Sequence, residues 1–547
     1  GQKLCSKKAG GQVPEYPRQE LPDATKWDHT KWSPNYRNDN RIETHESGTA
    51  PCKTACPAHV AVQGYLKLAA QGRYDEALAL IKRENPLPAI CGRVCNRRCE
   101  DACTRGRVDA AVAIDEVKKF IAQRDLDAAT RYVPPVVTPT RAGGFDQKIA
   151  IIGAGPAGLS CAFYLAEKGY KPVVFEKNER PGGMLTYGIP SFKLQKDVIE
   201  AEVEVIRLMG AEFRYGVEVG RDVTLDELRA QGFKAFYVAI GCQGGRLAGI
   251  PGEGAEDVTV AVDFLREVNS GKIDSLSGRT IVVGGGNVAI DVARNACRLG
   301  SEHVEMFCLE SEAQMPASEE ERREAVEDGA HISCGWGPKE VHLDEAGRVC
   351  GITFKRCTRV YDDEGRFVPE YDENDLRRVD ADRVVMSIGQ SIVWGDLLAG
   401  SKVEPGRGQG ALADPQTYQT AEPDIFVGGD VYTGPSFAID AIAAGHEAAV
   451  SIHRFVQPGS TLTIGRNQRR YTALDRDDVV IESYDNASRE VAHVDREREK
   501  AAPFSEYVET FTEEQVRAET ARCLGCGASI VDPNKCIGCG LCTTKCA

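Results

Sequence analysis

A short, mostly apolar strand that runs directly into a glycine-rich turn is the feature that most constrains how this chain folds. Residues 148–152 are followed at once by the pattern Gly153-x-Gly155-x-x-Gly158, which opens an apolar helix. Gly153 allows a tight turn, Gly155 lets the backbone approach a pyrophosphate, and Gly158 lets the helix pack on the strand. A second strand ends at Glu176, where a carboxylate can accept a hydrogen bond from a ribose hydroxyl. The stretch therefore predicts a dinucleotide-binding βαβ unit rather than a merely structural turn.

A second unit of the same kind begins at residue 280. The predicted strand Thr280–Val283 leads into Gly284-Gly-Gly286-Asn-Val-Ala289, a permitted variant of the same turn, and the next strand runs to Glu310. Two such units predict two different dinucleotides placed to react with each other. The alternative is a duplicated structural domain.

Later segments are predicted to complete the first unit. We assign two further strands to it, Arg383–Ile388 and Asp424–Val427, the second of which runs into a Gly-Gly-Asp turn ending at Asp430. An aspartate at this point can bind the ribityl hydroxyls of a flavin.

The paired glycines Gly182 and Gly183 allow the backbone to run close beside a flat ring or a pyrophosphate.

Cysteine is unusually frequent, with 20 residues, and most of them fall in two groups. The predicted metal ligands are Cys52, Cys56, Cys91, Cys95, Cys99 and Cys103 in the first group, and Cys523, Cys526, Cys536, Cys539, Cys542 and Cys546 in the second. Disulfide frameworks are typical of short secreted chains, so clustered cysteines in a long nucleotide-binding chain indicate metal binding. Thiolates on several short helical turns favour iron–sulfur clusters over zinc, which four thiolates also suit. The last four cysteines match the bacterial ferredoxin run apart from its final proline.

Charge and hydropathy exclude several classes of partner. The formal net charge of −15 argues against nucleic acid or an anionic membrane as the main partner. No apolar run approaches the ~18 residues that a spanning helix needs, and no signal peptide is visible. We therefore predict a cytoplasmic protein without membrane insertion. The chain begins at Gly1 without methionine, which suggests processing or trimming.

The order of these elements resembles the glutamate synthase small-subunit family, which includes the electron-input half of dihydropyrimidine dehydrogenase. The matching segments are ACPAHV, NPLPAICGRVCNRRCEDACTRG, GAGPAGL, RPGGMLTYGIPSFKL, GGGNVAIDVAR, MPAS, and VGGD with AIDAIAAGHEAA. They cover residues 46–455. The resemblance implies FAD at the first glycine-rich fingerprint, a nicotinamide dinucleotide at the second, and iron–sulfur clusters beside the flavin.

The predicted fold class is α/β, with two Rossmann-like, doubly wound domains, an N-terminal α-helical iron–sulfur domain and a small C-terminal ferredoxin-like module. The predicted bounds are 1–45 for an irregular arm, 46–145 for the iron–sulfur domain, 146–262 with 385–455 for the FAD domain, 263–384 for the NAD(H) domain, 456–520 for a linker and helix, and 521–547 for the ferredoxin-like module.

The predicted cofactor contacts follow from the two fingerprints and the matching segments. The FAD set is Gly153, Gly155, Pro156, Ala157, Gly158, Glu176, Lys177, Gly182, Gly183, Met184, Leu185, Gly241, Gly429, Asp430 and Ala438. The nicotinamide set is Gly284, Gly286, Asn287, Val288, Ala289 and Glu310. We predict no catalytic side chain because the cofactors carry the chemistry. Cys242 and His446 are interpreted as structural.

The cysteine pattern departs from the family pattern at one point. Relatives with two N-terminal clusters usually carry an extra CxxC just before the position of Cys52, and residues 41–50 contain no cysteine. Six thiolates are too few for two all-cysteine [4Fe–4S] clusters, so we expect one secure cluster in this domain. A second requires a non-cysteine ligand or cysteines from elsewhere, such as Cys523 and Cys526.

The nicotinamide site departs at another point. In NADPH-using relatives two arginines hold the 2′-phosphate, and the corresponding residues here are Leu309 and Glu310. A carboxylate repels a phosphate and accepts a hydrogen bond from a free 2′-hydroxyl. The sequence therefore predicts NAD(H) rather than NADP(H).

The predicted activity is hydride exchange between NAD(H) and FAD, coupled to one-electron transfer through at least two [4Fe–4S] clusters. The expected partners are other subunits of an oxidoreductase complex, for example one acting on a 2-oxoacid or an aldehyde, or ferredoxin. Three alternatives stay open: a glutamate synthase small subunit, a subunit of an electron-bifurcating complex, and a non-catalytic zinc-binding scaffold.

Overall fold

The computed structural model describes residues 48–136, 144–477, 479, 481 and 484–527. The strands, in chain order, are β1 (Lys148–Ile152), β2 (Val173–Glu176), β3 (Glu212–Tyr215), β4 (Phe233–Val238), β5 (Gly244–Gly245), β6 (Val258–Val260), β7 (Arg279–Val283), β8 (His303–Cys308), β9 (His331–Cys334), β10 (Trp336–Leu343), β11 (Val349–Tyr361), β12 (Phe367–Val379), β13 (Arg383–Met386), β14 (Gln390–Ser391) and β15 (Ile425–Val427).

The α-helices lie in the N-terminal domain, around both sheets and near the C-terminus. They are α1 (Pro51–Thr54), α2 (Val62–Ala70), α3 (Tyr74–Lys82), α4 (Pro88–Val94), α5 (Arg98–Asp101), α6 (Ile114–Leu126), α7 (Pro156–Glu167), α8 (Met184–Tyr187), α9 (Lys196–Leu208), α10 (Leu225–Ala230), α11 (Ala261–Asn269), α12 (Asn287–Arg298), α13 (Glu319–Glu327), α14 (Asp430–Thr433), α15 (Ala438–Val456), α16 (Arg496–Ala501) and α17 (Glu513–Ala521).

The first sheet is parallel, with the strand order β15–β4–β1–β2–β3. β1 lies at its centre, and all its residues after Lys148 are buried, as expected for a strand covered on both faces. The helices α7 and α15 pack closely against each other. Gly445 of α15 makes this possible, because a Cβ there would overlap the carbonyl oxygen of Ala157 of α7. The first predicted dinucleotide-binding unit is therefore confirmed as a doubly wound domain.

The second sheet is also parallel, with the order β6–β13–β7–β8–β9. Its strand β13 corrects one prediction. We assigned Arg383–Ile388 to the first domain, but Val384 pairs with Ile281 of β7 and with Val258 of β6, so the strand belongs to the second domain. A buried apolar strand has the same residue pattern in either sheet, and only its register with neighbouring strands distinguishes the two.

A three-stranded antiparallel sheet, β10–β11–β12, extends the second domain and was not predicted. One face packs on the parallel sheet, where the rings of Phe307 and Phe354 stack with their centroids 3.9 Å apart. The residues of β12 are largely exposed and charged. The strand therefore lacks the apolar alternation by which a half-buried strand is recognised.

The N-terminal domain is a group of short helices, α1 to α6. The helical spacing predicted for residues 62–70 and 74–82 corresponds to α2 and α3. A buried ion pair of 3.2 Å between Lys82 and Glu202 attaches this domain to α9 of the first dinucleotide-binding domain. Glu202 also accepts a hydrogen bond of 2.9 Å from the amide of Ala89 at the start of α4. The helical domain is thus fixed against the FAD domain on the side that carries α4.

The segment after α15 was predicted to be a linker, and its described residues are packed along both neighbouring domains. Glu506 forms ion pairs with Arg93 at 3.0 Å and with Lys119 at 2.8 Å. Tyr507 is buried, and its hydroxyl accepts a hydrogen bond of 2.6 Å from Arg294. Charged pairs and a few widely spaced aromatic residues hold this segment, and neither produces the regular apolar repeat by which an element is recognised in the sequence.

None of the helices in the described ranges combines the length and the apolar character that crossing a bilayer requires.

Candidate flavin and nicotinamide cavity and iron–sulfur ligands

The three glycines of the first fingerprint have different structural roles. Gly153 has a φ of +105°, and a Cβ there would lie 2.5 Å from the carbonyl oxygen of Ala239. A Cβ at Gly158 would overlap the carbonyl oxygen of Gly153. At Gly155, by contrast, φ is −76° and a Cβ would meet no atom within 4 Å. The protein itself needs the first and third glycines, whereas the open space over Gly155, at the N-terminus of α7, fits a pyrophosphate.

Glu176 is held where the prediction requires it. The carboxylate is buried at the end of β2 and accepts hydrogen bonds from the amides of Ala154 at 2.8 Å and Asn178 at 2.9 Å. It also faces the cavity beside Gly155. The remaining acceptor capacity of the carboxylate suits a ribose hydroxyl.

Most of the predicted FAD contacts line one cavity. They are Gly153, Gly155, Pro156, Ala157, Glu176, Lys177, Gly183, Met184, Leu185, Gly241, Gly429, Asp430 and Ala438. Gly158 and Gly182 do not line it. Gly182 has a φ of +108°, and a Cβ there would overlap the Thr186 hydroxyl. This glycine is therefore needed for the fold of the turn and does not contact the cavity.

Asp430 begins α14 at the far side of this cavity. Its Oδ1 accepts a hydrogen bond of 3.2 Å from the amide of Ser436. Burial raises the pKa of its carboxyl to about 6. A half-buried carboxylate with spare acceptor sites favours a ligand that donates hydroxyl groups, and the ribityl chain of a flavin is one.

The second fingerprint repeats this division of roles. Gly284 has a φ of +142°, and a Cβ there would overlap the carbonyl oxygen of Ser387, whereas a Cβ at Gly286 would meet no atom within 4 Å. Asn287 accepts a hydrogen bond of 3.2 Å from the amide of Ser318, and Ala289 is fully buried. Val288 lines the same cavity as the FAD residues. The N-terminus of α12 therefore opens toward the flavin region.

Glu310 lies beside the second fingerprint, two residues after β8. Its carbonyl oxygen accepts a hydrogen bond of 2.9 Å from the amide of Gly335, which fixes its backbone. Its Oε2 lies 3.0 Å from the position that a Cβ on Gly285 would occupy. Within the described part of the chain no cation forms an ion pair with this carboxylate, so it presents a negative charge at the fingerprint.

Lys193 was not singled out from the sequence, although it lies in a segment used for the family resemblance. It belongs to the FAD domain, and its Nζ lies 2.6 Å from Asp291 of α12 and also pairs with Glu321 of α13. Asp291 itself lines the cavity. One lysine thus ties the two dinucleotide-binding domains together beside the space they share. Only the tertiary structure brings these three residues together.

Replacing Lys193 by methionine is expected to lower the free energy of unfolding by about 3 kcal/mol, because two largely buried carboxylates lose their common cation. We also expect slower reduction of bound flavin by nicotinamide, since the two domains lose a contact beside the cavity. Chemical denaturation and stopped-flow absorbance would measure these effects. The control is Lys171→Met, which changes an exposed lysine of the same domain. Unfolding curves that coincide for the two variants would contradict the proposed stabilising contact between the two domains.

The structure divides the described cysteines of the two groups into two sets of four. In the first set, Cys91, Cys95 and Cys99 lie around the buried ammonium of Lys118, and Cys56 lies beside Cys95. Burial raises the pKa of the Cys95 and Cys99 thiols. The second set consists of Cys52, Cys103, Cys523 and Cys526. The predicted ligands Cys536, Cys539, Cys542 and Cys546 lie outside the described residues.

Cys242 and His446 occupy packed positions. The thiol of Cys242 is buried and donates to the carbonyl oxygen of Asp430 at 3.7 Å. The ring of His446 stacks on Tyr164 with a centroid separation of 3.8 Å, and burial lowers its pKa. Both placements agree with the structural interpretation of these residues.

The chain belongs to the pyridine nucleotide-disulphide oxidoreductase family, which it matches over residues 147–445. It also matches dihydropyrimidine dehydrogenase domain II, a 4Fe-4S cluster domain, over residues 43–130. It is therefore an FAD-dependent oxidoreductase with an N-terminal iron–sulfur domain. Both matches end before the C-terminal cysteine run, so the ferredoxin-like module stays a prediction.

Individual relatives agree with this assignment. The chain is 35% identical over 513 residues to the NADP(+)-dependent formate dehydrogenase subunit beta of Moorella thermoacetica, covering 87% of this chain and 70% of that protein. It is 35% identical over 431 residues to the glutamate synthase [NADPH] small chain of Escherichia coli, covering 75% and 89%. It is 33% identical over 411 residues to the NAD-dependent dihydropyrimidine dehydrogenase subunit PreT of Escherichia coli, covering 75% and 91%. The resemblance to the glutamate synthase small-subunit family is confirmed.

Proposed function

We propose that this chain is the NAD(H)-reacting FAD/iron–sulfur subunit of a multisubunit oxidoreductase. Bound flavin exchanges a hydride with a nicotinamide and single electrons with iron–sulfur clusters. The residues of the chain bind and orient these groups, and no side chain acts as an acid or a base in the transfer. We expect at least two [4Fe–4S] clusters in total.

One continuous cavity carries this proposal. It begins at Glu176, passes Asp430, and reaches Val288 on α12 of the second domain. Val94, the last residue of α4, lines the same cavity, and α4 also contains Cys91. The flavin and nicotinamide regions therefore share one space, and the helix that carries Cys91 borders it, which supports electron exchange between the three groups.

Anaerobic purification of the full chain tests the proposal directly. The expected product contains flavin, iron and acid-labile sulfide, and NADH bleaches its flavin absorbance. A colourless preparation, or one that contains zinc without iron, would refute the proposal and favour a scaffold instead.

The nicotinamide is proposed to be NAD(H). The carboxylate of Glu310 lies at the fingerprint without a neutralising cation among the described residues, and a 2′-phosphate placed there meets a like charge. The relatives carry both preferences in their names, two with NADP(+) or NADPH and one with NAD. The residue at this position, rather than the fold, therefore supports the assignment.

The variant Glu310→Arg is expected to shift the preference toward NADPH. It removes the repulsion and supplies a cation that binds phosphate. We expect the ratio of kcat/KM for NADH to that for NADPH to fall by about 100-fold, equivalent to about 2.7 kcal/mol. Steady-state reduction of ferricyanide with each nucleotide would measure it.

The matched control is Glu312→Arg, which makes the same charge change at an exposed residue two positions along. It should leave the ratio near its original value. A wild-type chain that prefers NADPH would show that the carboxylate does not select the nucleotide.

The partners are proposed to be other subunits of an oxidoreductase complex or ferredoxin. Support comes from the relatives, whose names describe them as a beta subunit, a small chain and a dehydrogenase subunit. Co-purification from the source cell under anaerobic conditions would identify the partner. Recovery of the chain without any other subunit would favour ferredoxin. The cytoplasmic location stays a prediction.

A further inference from the structure

The second cysteine set surrounds one small apolar space. Cys52 and Cys103 come from the N-terminal domain, whereas Cys523 and Cys526 come from the segment that follows α17, and all four line the same cavity. Its other walls are mostly apolar and include Val62, Leu66 and Ile114. Burial raises the pKa of the Cys52 thiol, and the three other cysteines lie near enough to raise it further. Residues more than 400 positions apart in the sequence thus form a single group of four thiols.

The C-terminal part of this group is held in place by buried polar contacts. Arg522 is fully buried and donates to Asp109 at 2.9 Å and to the carbonyl oxygen of Ala110 at 2.6 Å. Its own carbonyl oxygen accepts from buried Arg105 at 3.1 Å. Glu519, also fully buried, accepts from the amide of Ala113 at 2.7 Å. These bonds fix the backbone immediately before Cys523.

The segment is anchored on its other side as well. The Gln63 side chain donates to the carbonyl oxygen of Cys526. A Cβ at Gly527 would lie 3.1 Å from the carbonyl oxygen of Gly48, so the two ends of the described chain touch. Contacts with the N-terminal domain therefore fix the backbone on both sides of Cys523 and Cys526. These contacts hold the two C-terminal thiols at the cavity that Cys52 and Cys103 also line.

The chemistry of the group suits an iron–sulfur cluster better than a single ion. Burial raises the pKa of the Cys52, Cys103 and Cys523 thiols, whereas nearby backbone amides act in the opposite direction, and hydrogen bonds to the sulfurs are one of the features that tune iron–sulfur clusters. Zinc needs thiolates about 2.3 Å from one centre. Among the residues that the structure describes, no three potential ligands converge closely enough for a single ion. A four-iron cluster is larger and spans wider thiol spacings.

We propose that Cys52, Cys103, Cys523 and Cys526 hold a [4Fe–4S] cluster whose ligands come in equal number from the N-terminal domain and from the C-terminal segment. The proposal deepens the proposed function and rests on it, because it adds a second cluster to the N-terminal domain. It also separates Cys523 and Cys526 from the ferredoxin-like run that follows them in sequence.

The position of this cluster defines its role. Tyr65 is buried between the two cysteine sets, with Cys99 of the first set and Cys52 of the second among its neighbours, and its hydroxyl donates to the carbonyl oxygen of Ile114 at 3.3 Å. The first set adjoins the flavin cavity through α4. The second set lies on the other side of Tyr65. The divided cluster is therefore farther from the flavin cavity than the first cysteine set, in the position of a relay that leads away from the flavin.

The test compares iron content in the full-length, anaerobically purified chain and its variants. In the variant with Cys523→Ser and Cys526→Ser we expect a loss of about four iron atoms and four sulfides per chain, with one fewer cluster signal by low-temperature electron paramagnetic resonance. Flavin content should be unchanged. The control Cys297→Ser alters a cysteine outside both sets and should lose no iron. Unchanged iron in the double variant, or zinc at these residues, would overturn the proposal.

A second measurement on wild-type protein avoids any folding defect of the variant. Alkylation followed by mass spectrometry should find Cys52, Cys103, Cys523 and Cys526 protected in the intact protein. All four should become reactive together when oxidation and chelation remove the clusters. Reactivity of Cys523 and Cys526 before iron is removed would contradict the proposal. Wild-type protein without iron or flavin would instead refute the proposed function, so the two failures are distinguishable.

Discussion

Flavin-free protein is the expected product when Gly155 is replaced by valine. The backbone at this residue has φ −76° and ψ 179°, an extended conformation that valine adopts readily, and its side-chain position is open to 4 Å. The folded chain therefore tolerates the added isopropyl group. A pyrophosphate resting on the backbone does not, because the methyl groups fill the space that it needs. We expect FAD affinity to fall at least about 1000-fold, equivalent to about 4 kcal/mol.

Flavin absorbance after gel filtration and a circular dichroism spectrum would measure the effect and the fold together. The variant Gly158→Ala provides the contrast, since its Cβ would overlap the Gly153 carbonyl oxygen and strain the protein itself. It should lower thermal stability, whereas Gly155→Val should not lower it beyond the loss of bound FAD. Retention of tightly bound FAD by Gly155→Val would mean that the pyrophosphate does not lie at this turn.

Loss of nicotinamide reactivity with full retention of flavin is the expected result for Gly286→Val. The geometry matches that at Gly155, with φ −90° and ψ 173° and no atom within 4 Å of a Cβ. The substitution blocks only the second fingerprint, because the residues that line the flavin region are unchanged. Reduction of the flavin by NADH should slow at least about 1000-fold, which corresponds to about 4 kcal/mol. Reduction by dithionite should proceed at the wild-type rate.

Gly254→Val is the control for both glycine variants. This glycine is exposed, and a Cβ there also meets no atom within 4 Å, but it lies in neither fingerprint. It should retain flavin and react with NADH normally. If Gly286→Val reacted with NADH as fast as this control, the second fingerprint would not be the nicotinamide site.

The parts of the site that were predictable from the sequence depend on local backbone geometry. Each fingerprint turn needs glycine at fixed positions, because one position has a positive φ, one makes a close packing contact and one leaves space for a ligand. This fixed spacing is visible in the sequence, so both turns were predicted. The positions of Glu176 and Glu310 beside the fingerprints were predictable because a strand end has a fixed offset from the turn, and their contacts with the dinucleotides stay predictions. The helices α2 and α3 were found because their buried faces repeat along the chain.

The parts that were missed depend on tertiary pairing. The strand β13 reads the same whichever sheet it joins, and it was assigned to the wrong domain. Lys193 meets Asp291 and Glu321 across a domain junction that no local pattern marks. Cys523 and Cys526 were only one of the possible ligand sources that the sequence left open. Their placement beside Cys52 depends on the buried contacts of Arg522, and nothing in the local sequence indicates that this arginine is buried.

The contact between Gly527 and Gly48 has a consequence for how the protein is made. A ribosome releases the N-terminal helices long before residues 513–527 exist, and at about 5–20 residues per second the delay is on the order of tens of seconds. If the four thiols hold a cluster as proposed, Cys52 and Cys103 lack half of its ligands until residues 523–526 have been synthesised. A chain truncated before those residues is then expected to keep the first cluster and to lack the divided one.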